Sequence, residues 1–85
     1  MNRLKELRIK KGYTQLKIQM LTGIDQGNYS KIEKGERIPS LEQCQRLALL
    51  FDTSIDYLVG LTDVKEPYDR SKKYQNLDKF DIRDK

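Results

Sequence analysis

Gly23 divides the stretch TQLKIQMLTGIDQGNYSKIE, residues 14–33, into two short segments of helical character. Helices this short are marginal in water on their own and must be held by tertiary packing. Thr14 ahead of the first segment and Asp25 ahead of the second are N-cap residues, whose side-chain oxygens accept the N–H groups that open a helix. Glycine after Thr22 takes the left-handed conformation that reverses a chain at a helix end. Ile24 follows as an apolar anchor in the turn. Tyr29 and Ile32, three apart, mark the buried stripe of the second helix. The sequence therefore expects helices over about Gln15–Thr22 and from Asp25 through about Glu33, crossing closely at a tight turn.

The same punctuation recurs on both sides. Leu4 and Leu7 have helical spacing, and Gly12 ends that helix with Arg8, Lys10 and Lys11 near its carboxyl end, where cations suit the helix dipole. Gly35 ends the third helix. Ser40 and Gln43 make a capping box before a fourth helix whose expected core face is Leu41, Cys44, Leu47, Ala48 and Phe51. Ser54 caps a short fifth helix, Ile55 to Val59, closed by Gly60. Leu, Lys, Arg, Glu and Gln dominate, all good helix formers. An 85-residue chain buries one modest core. The expected fold class is all-α, a compact five-helix bundle over residues 1–62 with a polar C-terminal tail over 63–85. Pro67 is placed to start a helix in that tail, and Tyr74, Leu77 and Phe80 give it a weak apolar stripe. The tail reads as disordered in isolation or as ordered against a partner subunit.

Charge is unevenly spread. Residues 1–35 hold eight Lys or Arg against three acids, whereas the whole chain carries +4. A basic half on a small domain is either a solvated surface or the footprint of a nucleic-acid binder. No apolar run approaches the ~20 residues that cross a bilayer, and Met1 to Glu6 leads into no signal-peptide apolar region. The lone Cys44 forms no internal disulfide, which fits a reducing compartment, and the expected location is cytoplasmic. It reads as a small core hydrophobe. The sequence has no His, no metal-ligand cluster and no phosphate-cradling glycine loop, so a metal or covalent mechanism lacks its ligands or its base. The expectation is no enzyme, no cofactor, no metal and no small-molecule ligand.

Two short helices in close crossing place the second in a major groove about 12 Å wide while the first braces it on the backbone. The pieces LKELRIKKGYTQ, TGIDQGNYSKIEKGERIPSLEQCQRLA and DTSIDYLVGLTD resemble, in that order, the Cro/C1-type (XRE) helix-turn-helix family of bacterial and phage regulators. The resemblance covers residues 1 to about 63 and implies a five-helix fold and sequence-specific binding of double-stranded DNA. It points to a repressor that holds a palindromic operator as a homodimer. Gln15 matches a phosphate-contacting position and Gln26 a base-reading one, where glutamine bonds bidentately to adenine. Asn28, Ser30 and Lys31 fall on the exposed part of the recognition helix. Lys34 and Arg37 match backbone-contacting positions, and Arg8 and Glu33 match a structural ion pair.

Three residues depart from the pattern. Gln19 stands where the family usually has Ala, so its side chain must turn outward or the helices must separate. Lys17 replaces a frequent Glu and opposes the helix dipole, with a phosphate as its expected compensation. Gly27 offers no side chain at a position that often reads a base. Leu16, Met20 and Leu21 are apolar at positions usually polar in the family, and with the tail they would serve an alternative function, a protein-interaction or antitoxin-like module on the same fold. Tyr13 and Tyr29 read as core residues.

Overall fold

The computed structural model describes residues 2–71; Tyr74, Leu77 and Phe80 lie outside them. Within the described residues the chain is all-helical. It comprises α1 (Asn2–Lys11), α2 (Gln15–Thr22), α3 (Gln26–Lys34), α4 (Leu41–Leu50) and α5 (Ile55–Leu58). Each boundary has a local chemical cause. Thr14 Oγ1 accepts Lys17 N at 3.0 Å. Ser40 and Gln43 form the reciprocal capping box, and Ser54 Oγ accepts Tyr57 N. At Gly23, φ is 78°, a conformation that closes α2 by donating the glycine N–H to Gln19 O.

One apolar cluster joins the elements: Leu4 and Leu7 of α1, Ile18 and Leu21 of α2, Tyr29 and Ile32 of α3, with Leu47, Ala48, Leu50 and Phe51 behind them. The α2–α3 turn is bonded as well as packed. Buried Thr22 donates its hydroxyl to Ile18 O at 2.7 Å and accepts Ile24 N at 3.1 Å. Arg46 of α4 reaches across to donate to Thr22 O at 2.6 Å, setting a cation on the carboxyl end of α2.

Three expectations are corrected. Leu41 is 68% exposed, because α4 enters the core only from Cys44 onward. Leu21 is buried in the core cluster, so it does not share a surface with exposed Leu16 and Met20. Pro67 starts no helix through Ser71. This stretch instead runs along α4 and α5, where backbone groups find other partners. Thr53 Oγ1 donates to Lys65 O, Arg70 donates to Thr53 O at 3.1 Å, and Tyr68 Oη donates to Asp56 Oδ2 at 2.7 Å. From α1, Arg3 donates to Tyr57 O, Thr62 O and Asp63, with its guanidinium 4.2 Å from the centroid of the Tyr57 ring.

Candidate nucleic-acid interface

The N–H groups of the first turn of α3, from Gln26 to Tyr29, are bonded from within the protein. Asp25 Oδ2 accepts Gly27 N at 3.1 Å and Asn28 N at 3.3 Å, and Asp25 O accepts Tyr29 N at 2.8 Å. The remaining N–H, that of Gln26, donates to Gln19 Oε1 at 2.8 Å. Gln19 thus does not turn away into solvent. Its half-buried side chain crosses the turn and completes the cap. Gly27 contributes to the same cap by its lack of a Cβ, which would sit 3.2 Å from the Asp25 carboxylate. With the N–H groups of Gln26, Gly27 and Asn28 taken by side-chain oxygens and that of Tyr29 by Asp25 O, the first turn of α3 presents its side chains to a ligand.

The amino end of α2 differs. Thr14 takes Lys17 N and Ile18 N, and the described residues supply no partner for the N–H groups of Gln15 and Leu16. Open N–H groups at a helix start form an anion site.

Beneath the interface lies the Arg8–Glu33 pair. Arg8 Nε donates to Glu33 Oε2 at 2.8 Å and Nη2 to Oε1 at 3.0 Å, while Nη1 donates to Tyr13 O at 2.9 Å. The Glu33 side chain is 5% exposed and that of Arg8 14%. Burial opposes ionisation of Glu33, but hydrogen bonds from Arg8, with Tyr29 and Gln15 beside it, outweigh burial and hold its pKa below the usual range. The bond to Glu33 raises the Arg8 pKa in turn. Burial first, then Glu33, pushes the Tyr29 phenol well above its ordinary value, although its hydroxyl finds no hydrogen bond of regular geometry among the described residues. Burial likewise pushes the Cys44 thiol up, away from the reactive thiolate.

Gln15, matched in sequence to a phosphate contact, donates its amide to Glu33 Oε1 at 3.3 Å. It lines one open cleft with Lys5, Arg8, Glu33 and Lys34. Lys5 was not singled out in the sequence; only its charge, one residue after the core residue Leu4 and three before Arg8, marks it. Lys17, Gln26, Lys31, Lys34 and Arg37 are exposed, and Ser30 and Asn28 are half-buried. Arg37, from the loop after α3, donates to Asn28 Oδ1 at 2.7 Å. Among the described residues no group of three or more His, Cys, Asp or Glu is placed to hold a metal ion. No described helix is long and apolar enough to cross a membrane.

Two short helices crossing over a glycine turn, the second capped at both ends and polar on its outer surface, define a helix-turn-helix DNA-binding fold. The chain belongs to the helix-turn-helix family, which it matches over residues 4–58, in agreement with the Cro/C1-type resemblance of its motifs. Members of this family bind DNA and are not enzymes. The chain is 35% identical over 81 residues to the uncharacterized HTH-type transcriptional regulator YobD of Bacillus subtilis (strain 168), covering 94% of this chain and 72% of YobD. It is 42% identical over 66 residues to the HTH-type transcriptional regulator AnsR of the same organism, covering 78% of this chain and 57% of AnsR. Against the HTH-type transcriptional regulator ImmR, also of that organism, it is 38% identical over 64 residues, covering 75% of this chain and 50% of ImmR. The chain thus spans only about half the length of the latter two. No solved structure matches it.

Proposed function

We propose that the chain is a cytoplasmic, sequence-specific regulator that binds double-stranded DNA, a repressor that holds a palindromic operator as a homodimer. The observation that carries this reading is the α2–turn–α3 unit, with a recognition helix capped from within and polar side chains along its outer surface. Its relatives are named as HTH-type transcriptional regulators, which supports the same reading. In this reading Gln26, Asn28 and Lys31 meet base edges, with Ser30 reaching the groove beside them. Gln15, Lys17 and Lys34 hold phosphates, with the open N–H groups at the start of α2. Residues 1–62 form the DNA-binding domain and 63–85 its tail.

One short recognition helix offers few base contacts, so useful specificity calls for two, on half-sites ~34–36 Å apart. Exposed Val59 and Leu61, next to α5, provide apolar surface for the pairing. Selection of bound duplexes from a random library, followed by sedimentation of the complex, tests the proposal. A palindromic site with two chains per duplex is expected. Absence of sequence enrichment, or one chain bound tightly to a single half-site, overturns it.

A further inference from the structure

Lys10 and Lys11, in the last turn of α1, line one open cleft with Lys65, from the segment after α5. The helix dipole accounts for cations at the carboxyl end of α1, but not for a third brought to them from beyond α5. Lys65 is half-buried, and its carbonyl accepts the hydroxyl of Thr53, which ties its backbone to the end of α4. The charge of Lys10, above all, pushes the Lys65 pKa below its ordinary value; Lys11 adds to the effect, and Glu66 opposes it weakly. Among the described residues none of the three lysines forms an ion pair with a carboxylate. The rest of the lining is apolar, from buried Leu7 and Phe51. A cleft lined by one sign of charge with low-dielectric walls focuses its field and concentrates counter-ions. It shares no residue with the Gln15 cleft, and Lys10 lies about 160° around the α1 axis from Arg8, which borders that cleft.

We propose that Lys10, Lys11 and Lys65 form an anion site, separate from the DNA-binding surface, that takes the phosphomonoester or polyphosphate group of a small molecule. Three ammonium groups on one cleft suit an anion that carries two or more charges at one place. Backbone phosphates carry one charge each and are spread along the duplex. The site departs from the sequence expectation of no small-molecule ligand, and it does not depend on how α3 reads DNA.

Calorimetric titration of the full chain with inorganic tripolyphosphate at constant ionic strength tests the proposal, using the wild type, Lys10→Met, Lys65→Met and Lys17→Met. Methionine keeps most of the stem and removes the charge. Lys17→Met removes the same charge from the surface that faces DNA. The wild type is expected to bind, and Lys10→Met and Lys65→Met should each weaken binding by about tenfold or more, whereas Lys17→Met should leave the site intact. Thermal melting gives a second reading. Without ligand, Lys10→Met should raise Tm by about 1–2 °C as repulsion is relieved, and it should lose the stabilisation that tripolyphosphate gives the wild type. No binding by the wild type, or equal weakening in all three variants, overturns the site. The salt dependence of duplex binding distinguishes the source of the phosphate. An unchanged slope in Lys10→Met and Lys65→Met is expected; a slope lower by about 1 in each would assign the cleft to the DNA backbone and overturn its separate role.

Discussion

Gln19 and Gln26, on opposite sides of the α2–α3 turn, are joined by a 2.8 Å hydrogen bond from the backbone N–H of Gln26 to the side-chain carbonyl of Gln19. The bond ties the leading end of the recognition helix to the helix that braces it. Loss of a cap of this kind costs about 1 kcal/mol. Alanine is the better helix former within α2, which offsets a few tenths of that. Gln19→Ala should therefore lower stability by about 0.5–1 kcal/mol and reduce affinity for a preferred duplex. Gln19→Glu keeps the acceptor and adds a negative charge at the start of α3, which stabilises by about 0.3–1 kcal/mol. The same charge should weaken binding to every DNA sequence. Urea denaturation and duplex titration of both variants check this, and identical stabilities for the two would show that the bond contributes nothing.

Arg8→Ala leaves the Glu33 carboxylate buried without its main partner. Breaking a buried pair from one side costs about 3–5 kcal/mol. Because Arg8 borders the open cleft with Lys5 and Lys34, the expected loss lies near about 3 kcal/mol. Base preference should survive wherever the variant remains folded, since Arg8 contacts Glu33 and Tyr13 rather than the outer surface of α3. A melting temperature equal to that of the wild type would contradict the role given to the pair.

The pH dependence of stability follows from groups whose pKa values move on folding. The Glu33 carboxyl lies below its usual range in the folded chain. Its contribution is present above the unfolded pKa and is lost as pH falls through the folded one. Cys44 and Tyr29 are raised by burial. They hold protons that the unfolded chain releases, so stability declines as pH rises past about 8.5, where a free thiol ionises. With no His in the sequence, stability should be nearly flat between about pH 5 and 8. Urea midpoints across pH measure this. Glu33→Gln should show a shallower acid limb and Cys44→Ala a shallower start to the alkaline one. An unchanged acid limb in Glu33→Gln would assign that limb to other carboxylates.

What the sequence made legible was local. Thr14, Asp25, Ser40 and Ser54 accept N–H groups two or three residues ahead, so residue type and spacing reveal each helix start. The Arg8–Glu33 pair spans 25 residues and was reached through family resemblance. The contacts of Gln19, Arg46 and Arg3 were not legible, because each meets a backbone amide or carbonyl 7, 24 and 54 residues away. Every residue carries such a group, so the partner leaves no trace in sequence. Leu41 shows the limit of periodicity, which reports the side of a helix but not where along its length the core begins. Pro67 shows a local preference overridden. It suits a helix start, yet the neighbouring segment bonds to Thr53 and Asp56 in a non-helical path.

The last prediction separates base reading from phosphate holding. Gln26 is exposed one residue past the Asp25 cap, with its amide free at the leading end of α3. Lys5 and Lys34 flank the cleft that holds Gln15, two cations beside a helix start with open N–H groups. A lost base contact costs about 1–3 kcal/mol and relaxes one operator position. A lost phosphate contact weakens all sequences alike and lowers the salt slope by about 1. Gln26→Ala should therefore flatten preference at one base pair while leaving the salt dependence unchanged. Lys5→Ala and Lys34→Ala should each reduce the slope of log affinity against log salt by about 1 without altering preference. Gln15→Ala should weaken specific and scrambled duplexes by similar factors, since its amide faces the same cleft, although it also releases a hydrogen bond to Glu33. Isotherms on specific and scrambled duplexes at several salt concentrations resolve the two behaviours. If Gln26→Ala kept the full sequence preference while Lys5→Ala altered it, the side of the protein that enters the groove would have to be reassigned from α3 toward α1.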